Sequence, residues 1–204
     1  MAKLLLVRHG KTEGEANRYY GHADISLSQE GTKQAGALRE RLTSENINLI
    51  YSSDLKRAFG TAEIIAAAHK LEVIPRPDLR ELDFGELGGM TFEEMKEHYQ
   101  GAVRFLSGQD TDVSAPNGES LRQMSTRIKR FVAEVRKQSP ERILLVVAHG
   151  GSLKVLLCLL LRISLKHWWQ FRFDPASLSV VKTDPEGSVL HLLNDTSHVE
   201  EVRR

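Results

Sequence analysis

Two apolar runs without polar interruption stand out near the two ends of the chain. One covers residues 4–7 and the other covers residues 143–148. A strand that is apolar on both faces belongs in a sheet that is covered on both sides, so both runs predict buried strands. Residues 49–51 predict a third, shorter strand between two helical segments.

Apolar spacing and helix-capping residues together predict four helices between these strands. The first follows a candidate cap at Ser28, and the second begins near Leu55. Thr91 and Glu94 fit a capping box, which predicts the start of a third helix. The fourth helix should end before Pro140, and its apolar stripe consists of Leu121, Met124, Ile128, Phe131 and Val135.

A hairpin is predicted near the C-terminus, where residues 178–181 and 189–193 flank an Asp-Pro-Glu-Gly turn. Strands that alternate with helices predict an α/β fold of three layers. In that fold, an open and mostly parallel sheet carries helices on both faces and the hairpin at its edge. A chain of 204 residues with 41% hydrophobic content is expected to form one domain over residues 1–204.

Composition excludes several classes of partner. The 28 Lys and Arg and the 27 Asp and Glu are mixed along the chain, so nucleic acid is not expected as a partner. The apolar runs are too short to cross a membrane. The single cysteine, Cys158, lies in an apolar run and is interpreted as a buried thiol. We expect a soluble cytoplasmic protein, with the oligomeric state open and a homodimer as one expectation.

Candidate chemistry first appears where the two buried strands end. The first strand is followed by Arg8 and His9, and the second by His149 and Gly150. Ligands of open α/β sheets bind at the carboxyl ends of strands. A helix expected to start at Ser152 would favour an anion there. One histidine in such a place is usually an ordinary hydrogen-bonded residue, but two matching strand ends indicate a site.

Two further segments supply charged groups that could join this site. Residues 52–58 carry Arg57 at the start of a helix that follows a strand. Residues 79–85 carry two carboxyl groups, Glu81 and Asp83. Together with Arg8, these segments would provide two guanidinium groups and a carboxyl group.

These motifs resemble the histidine phosphatase superfamily, the group related to cofactor-dependent phosphoglycerate mutase. The resemblance covers nearly the whole chain in the same order. Residues 8–12, with the sequence Arg-His-Gly-Lys-Thr, are similar to its nucleophile motif. Arg57 resembles its second phosphate-binding arginine, Glu81 its proton donor, and His149 its second catalytic histidine. Asp83 is then left a supporting role.

The resemblance implies hydrolysis of a phosphomonoester without a metal or a cofactor. Arg8 and Arg57 would offset the charge of the phosphate with bidentate hydrogen bonds. His9 would attack phosphorus and form a phosphohistidine. Glu81 would protonate the departing alkoxide and then activate the water that releases phosphate.

Further substrate contacts are expected around this centre. His149 and the backbone of Gly150 would hold the charge on the equatorial oxygens. Many family members carry an asparagine where Glu15 stands, and Asn17 is a candidate to replace its phosphate contact. His22 lies in a loop that could overhang the site and is a further candidate.

Three other functions are less compatible with this sequence than a phosphatase. A two-metal hydrolase is disfavoured, since the chain has no His-x-His pair, no His-Glu-x-x-His motif and no cysteine cluster. A binding module without turnover is disfavoured because all five catalytic candidates are present. A mutase usually has a longer chain between the proton donor and the turn at residues 116–120, so water is the expected acceptor.

The expected substrate is a small phosphorylated metabolite. Residues 116–120 and 168–174 are similar to the α-ribazole phosphatase branch, which implies α-ribazole 5′-phosphate of cobalamin synthesis. The alternatives are broad specificity or another metabolite, such as a phosphosugar, phosphoserine or a phosphoglycerate. Trp168 and Trp169 either pack against the sheet or wall the leaving-group pocket. Residues 107–118 form a long loop that is either a lid or a connection.

Overall fold

A six-stranded sheet forms the centre of the molecule, whose computed structural model describes residues 1–14, 17–107, 110–139 and 141–200. The strands are β1 (Ala2–Arg8), β2 (Ile47–Ser52), β3 (Val73–Pro75), β4 (Ile143–Ala148), β5 (Leu178–Thr183) and β6 (Ser188–Asp195). The helices are α1 (Gln29–Leu42), α2 (Lys56–His69), α3 (Phe92–His98), α4 (Ala102–Ser107), α5 (Leu121–Val135), α6 (Gly150–Leu161) and α7 (Ser197–Glu200). Single turns of 3₁₀ helix occur at Pro77–Leu79 and Gly85–Leu87, and a longer one at Leu165–Gln170.

The order of the strands across the sheet is β3-β2-β4-β1-β5-β6. The four strands from β3 to β1 are parallel, while β5 runs antiparallel to β1 and β6 runs antiparallel to β5. This arrangement confirms the predicted α/β class, the mostly parallel sheet and the C-terminal hairpin at its edge.

The two apolar strands are buried on both faces, as their composition predicted. In β1, Leu4 and Leu6 belong to the core shared with α5 and α6. Leu5 and Val7 belong to a second core on the other face, shared with α1 and α2. Successive side chains of a strand point to opposite faces, so a continuous apolar run joins both cores.

Local signals at the helix ends are confirmed with one correction. The side chain of Ser28 accepts the amide of Gly31, and Thr91 and Glu94 form the predicted capping box. The helix expected to start at Ser152 instead starts at Gly150, because the carbonyl of His149 already accepts the amide of Leu153.

The remaining predictions on the fold concern Cys158, the membrane and one loop. Cys158 is buried in α6, and burial raises the pKa of its thiol to about 11. Within the described residues, no helix has the length and apolar composition that crossing a membrane requires. In the segment 107–118, Ser107 ends α4, and the carbonyl of Pro116 accepts the amide of Glu86 at 3.0 Å. That part of the segment therefore packs against the loop that follows Glu81.

Candidate active site

The sheet register brings the two strand ends together. β1 and β4 are parallel neighbours, and Arg8 lies opposite Ala148 in the last aligned pair. His9 and His149 follow these two residues directly, so their rings meet edge to face with centroids 5.0 Å apart. The pairing that the similar strand ends suggested is therefore present in the structure.

His9 has one ring nitrogen bound to the backbone and one that is not. Its Nδ1 lies 2.7 Å from the carbonyl oxygen of Gly10. A carbonyl can only accept, so Nδ1 carries the proton and Nε2 keeps its lone pair. Burial, followed by the charges of Arg8 and Arg57, lowers the pKa of His9 well below its usual value. The ring is therefore neutral and is a candidate nucleophile.

His149 is held on both sides. The Nε of Arg57 donates to its Nδ1 at 3.2 Å, so Nδ1 is the acceptor and Nε2 carries the proton. Nε2 lies 2.8 Å from the hydroxyl of Ser53. Burial first, and then the neighbouring charges, lower the pKa of His149 well below its usual value. Its side chain is 0% exposed, which places it behind His9.

Two arginines converge on His9 from different elements. The Nη1 of Arg8 donates to the carbonyl of Phe173 at 2.6 Å, and its buried Nε has no partner among the described residues. Arg57 donates to the carbonyls of Ala23 and Gly21, both at 2.7 Å, in addition to its bond with the imidazole behind His9. A guanidinium has five N–H donors, so each arginine keeps donors for an anion.

The carboxylate of Glu81 is held at the start of α6. One oxygen accepts the amide of Leu82 at 2.9 Å, and the other accepts the amide of Gly151 at 3.0 Å. A Cβ on Gly151 would lie 2.3 Å from the Glu81 carboxylate, so only glycine permits this approach. Asp83 is absent from the described lining of the cavity and accepts the amide of Gly85 at 2.9 Å, so its supporting role stays a prediction.

An arginine on α5 fixes the backbone that carries Glu81. Arg127 donates to the carbonyls of Asp78 and Arg80 at 2.7 and 2.8 Å, and to that of Glu81 at 2.9 Å. It also pairs with the carboxylate of Glu119, and both side chains of that pair are largely buried. The loop at residues 78–81 is thereby tied to α5 at several points.

A cavity of about 1260 Å³ opens in front of these groups. Arg8, His9, Arg57 and Glu81 line it. Its walls are rich in aromatic side chains, namely Tyr19, Tyr20, Phe84, Phe92, Trp168, Trp169, Phe171 and Phe173. Trp169 is 58% exposed and lines the cavity, so packing against the sheet is the wrong interpretation for it and a place in the wall is the right one.

The other expected contact residues differ in where they lie. Gly150 and Asn17 line the cavity, and Asn17 has its backbone in the left-handed region, with φ 66°. His22 and His149 are absent from the described lining. The Nε2 of His22 lies 2.8 Å from the carbonyl of Glu81, so its ring supports the loop that carries that residue. Glu15 lies outside the described residues.

Sequence reasoning missed several groups that support the site. Ser53 contacts His149, and the hydroxyl of Thr61 accepts the amide of Gly10 at 3.2 Å. Lys154 lines the cavity one turn into α6. Ser53 lies in the segment 52–58 that carries Arg57, but the contacts of all three residues depend on the tertiary structure and no sequence signal predicts them. In the described part of the chain, no group of three or more His, Cys, Asp or Glu side chains could hold a metal ion.

Comparisons with known proteins agree with this geometry. Residues 4–196 match the histidine phosphatase superfamily (branch 1). The chain is 39% identical over 202 residues to Phosphoserine phosphatase 1 of Hydrogenobacter thermophilus, covering 98% of this chain and 96% of that protein. The structure of a mycobacterial glucosyl-3-phosphoglycerate phosphatase matches with a TM-score of 0.84 at 30% identity, covering 94% and 98% of the two chains. For the α-ribazole phosphatase from Shigella flexneri the TM-score is 0.83 at 28% identity, covering 95% and 96%. The chain therefore belongs to the histidine phosphatase superfamily, branch 1.

Proposed function

We propose that this protein hydrolyses phosphomonoesters through a phosphohistidine formed on His9. One observation carries the proposal: the neutral ring of His9 keeps Nε2 unprotonated at a cavity that Arg8, Arg57 and Glu81 also line. A nucleophile, two phosphate-binding cations and a carboxyl group thus border the same space. The relatives named above are phosphatases, which supports the same reaction class.

The first step transfers the phosphoryl group to the enzyme. The free guanidinium donors of Arg8 and Arg57 bind the phosphate oxygens and offset their charge. The Nε2 lone pair of His9 forms a bond to phosphorus while the bond to the ester oxygen breaks. Glu81 gives its proton to the departing oxygen, so the alcohol leaves uncharged.

The second step returns the enzyme to its starting state. The carboxylate of Glu81 takes a proton from water as the water oxygen attacks phosphorus. The bond between phosphorus and His9 breaks, inorganic phosphate leaves, and Nε2 recovers its lone pair. These two steps use side chains of the protein and one water molecule, and they need neither a metal nor a cofactor.

For the leaving group we propose a small metabolite and consider two candidates. α-Ribazole 5′-phosphate is supported by the aromatic walls of the cavity, which could pack against a flat base, and by the structural match to the Shigella flexneri enzyme. Phosphoserine is supported by the 39% identity to Phosphoserine phosphatase 1. A location in the cytoplasm and assembly as a homodimer stay predictions.

The direct test is phosphate release, measured in the presence of chelator, from α-ribazole 5′-phosphate, phosphoserine and a simple aryl phosphate. Native protein is compared with His9→Ala. We expect hydrolysis by the native protein and none by the variant. Equal activity of the two proteins would refute the nucleophile, and loss of native activity in chelator would refute the metal-free mechanism.

A further inference from the structure

Lys154 occupies a place in the cavity that the proposed mechanism does not use. It follows Gly150 by one helical turn on the same face of α6, about 6 Å along the helix axis. Gly150 itself lies against the guanidinium of Arg8, since a Cβ there would be 3.7 Å from it. The ammonium group is therefore displaced by about one turn from the phosphate-binding end of the cavity.

Among the described residues no carboxylate forms an ion pair with this ammonium, although that of Glu81 acts on it electrostatically. Three cavity cations are paired with carboxylates of the protein: Lys11 with Glu30, Arg18 with Glu94, and Arg172 with Asp174. Arg8 and Arg57 pair with no carboxylate in the described part of the chain, and they match the two charges of a phosphate. Lys154 is the third cavity cation without a carboxylate partner among the described residues, and its ammonium lies 5.4 Å from the centroid of the Trp168 ring.

Burial in the cavity wall makes the charged form of Lys154 less favourable. The side chain is half-buried, and burial is the main cause that lowers the pKa of Lys154. The carboxylate of Glu81 acts on this pKa in the opposite direction, and the positive charge of Arg8 lowers it further. A charged group held in such surroundings is stabilised when an anion of the substrate pairs with it.

We propose that Lys154 binds a carboxylate on the leaving group, and so selects phosphomonoesters of short carboxylate-bearing alcohols. The inference rests on the proposed function and favours phosphoserine over α-ribazole phosphate among its candidates. One ammonium offsets one negative charge, so Lys154 matches the charge of a carboxylate better than that of a second phosphate. The indole of Trp168, over which the ammonium lies, closes the apolar side of this subsite.

Matched pairs of esters test the inference. Phosphoserine and phosphoethanolamine differ in the carboxylate alone, and 3-phosphoglycerate and glycerol 3-phosphate differ in a carboxylate replaced by a hydroxymethyl group. The readout is the ratio of kcat/KM within each pair. The variants are Lys154→Met, Lys154→Gln and the charge-preserving Lys154→Arg, with Lys129→Met on the exposed face of α5 as the matched control.

We expect the native protein to prefer the carboxylate ester of each pair. Lys154→Met and Lys154→Gln should reduce that preference at least about tenfold, as expected when one charge-assisted hydrogen bond is lost. Lys154→Arg and Lys129→Met should keep most of it. If Lys154 acted only through the charge of Glu81, both members of a pair would lose activity by the same factor, and that result would overturn the inference.

Binding of the same esters to His9→Ala, alone and combined with Lys154→Met, separates this inference from the proposed function. If no ester is hydrolysed by the native protein, the proposed function is wrong. A carboxylate-dependent affinity that disappears with Lys154→Met would still support the subsite. Equal affinity for both members of each pair would overturn it.

Discussion

The two strand ends look alike in sequence but hold their histidines differently. His9 has Nδ1 bound to its neighbour's carbonyl and borders the cavity, and its Nε2 is unprotonated. His149 has both ring nitrogens bound, by Arg57 and by Ser53, and is fully buried. The two rings touch, yet only one of them has a nitrogen available to a substrate.

The difference shows what a strand-end pattern can and cannot indicate. The parallel register determines that both histidines reach the same edge of the sheet. The partners of each ring nitrogen determine the tautomer and therefore the chemistry. In this arrangement His9 is suited to attack phosphorus, and His149 is suited to orient Arg57 and to pack behind the nucleophile.

The largest effect is expected from substitutions at His9. Neither alanine nor asparagine supplies a nucleophile, so His9→Ala and His9→Asn should both lower kcat at least about a thousandfold. The measurement is steady-state hydrolysis of an aryl phosphate. His191→Ala, on the exposed side of β6, is the control and should keep native activity. A His9→Asn protein with substantial turnover would contradict the account.

Replacement of His149 by alanine and by asparagine should have different effects on kcat and on stability. His149→Ala leaves the Nε of Arg57 without its partner and removes one of the two partners of the Ser53 hydroxyl, which also accepts the amide of Leu55. This loss should cost about 1–3 kcal/mol of stability. Misplacement of the guanidinium should lower kcat about a hundredfold. The amide oxygen of His149→Asn can accept from Arg57, so this variant should recover about tenfold of that loss. Parallel kcat and thermal-unfolding measurements check both effects. Equal activity of His149→Ala and His149→Asn would contradict the role of His149 in orienting Arg57.

A smaller effect is expected at Gly151, which brings Glu81 to the second strand end. The added methyl group of Gly151→Ala displaces the carboxylate, so kcat should fall roughly tenfold, and more for alkyl esters, whose leaving groups need a proton. Gly36→Ala in α1 is the matched control, because its Cβ would meet nothing within 4 Å. The control should gain up to about 1 kcal/mol of stability without a change in activity. An unchanged kcat in Gly151→Ala would place Glu81 outside the reaction.

The effect that is smallest at neutral pH is on stability, and it grows only on acidification, through both histidines. Their pKa values are lowered in the folded state, so the unfolded chain binds protons that the folded chain does not. Stability should therefore fall as the pH drops below about 6.5, by up to about 1.4 kcal/mol per pH unit for each ring. Urea unfolding should show a shallower fall for His149→Asn and an unchanged one for His191→Asn. A native protein whose stability is constant through this range would contradict the lowered pKa values.

Much of this molecule could be predicted from local signals, because those signals act within a few residues. The apolar run of β4, the cap at Ser28 and the box of Thr91 and Glu94 depend on neighbours in sequence, and each was found. β3 was not predicted, since it has three residues, ends in Pro75 and lies at the edge of the sheet. α4 was not predicted either, because it has only six residues.

The residues of the candidate site also fall into two groups, those that sequence motifs predict and those that depend on tertiary contacts. His9 and Glu81 were named from motifs and a family resemblance, and the structure brings them to one cavity. Arg127 and Lys154 were not named, because their importance depends on which distant groups they approach. The tautomer of His149 likewise follows from contacts that span most of the chain, and no sequence pattern records them.

The central claim is that the phosphoryl group passes through His9 and not through His149. Rapid mixing of the native protein with a radiolabelled phosphate ester, followed by an alkaline quench and peptide mapping, tests it directly. We predict label on the peptide that contains His9, its absence in His9→Ala, and its accumulation in Glu81→Gln, where attack by water is slowed. Label on the His149 peptide, or turnover by the native protein with no labelled intermediate in Glu81→Gln, would contradict the account.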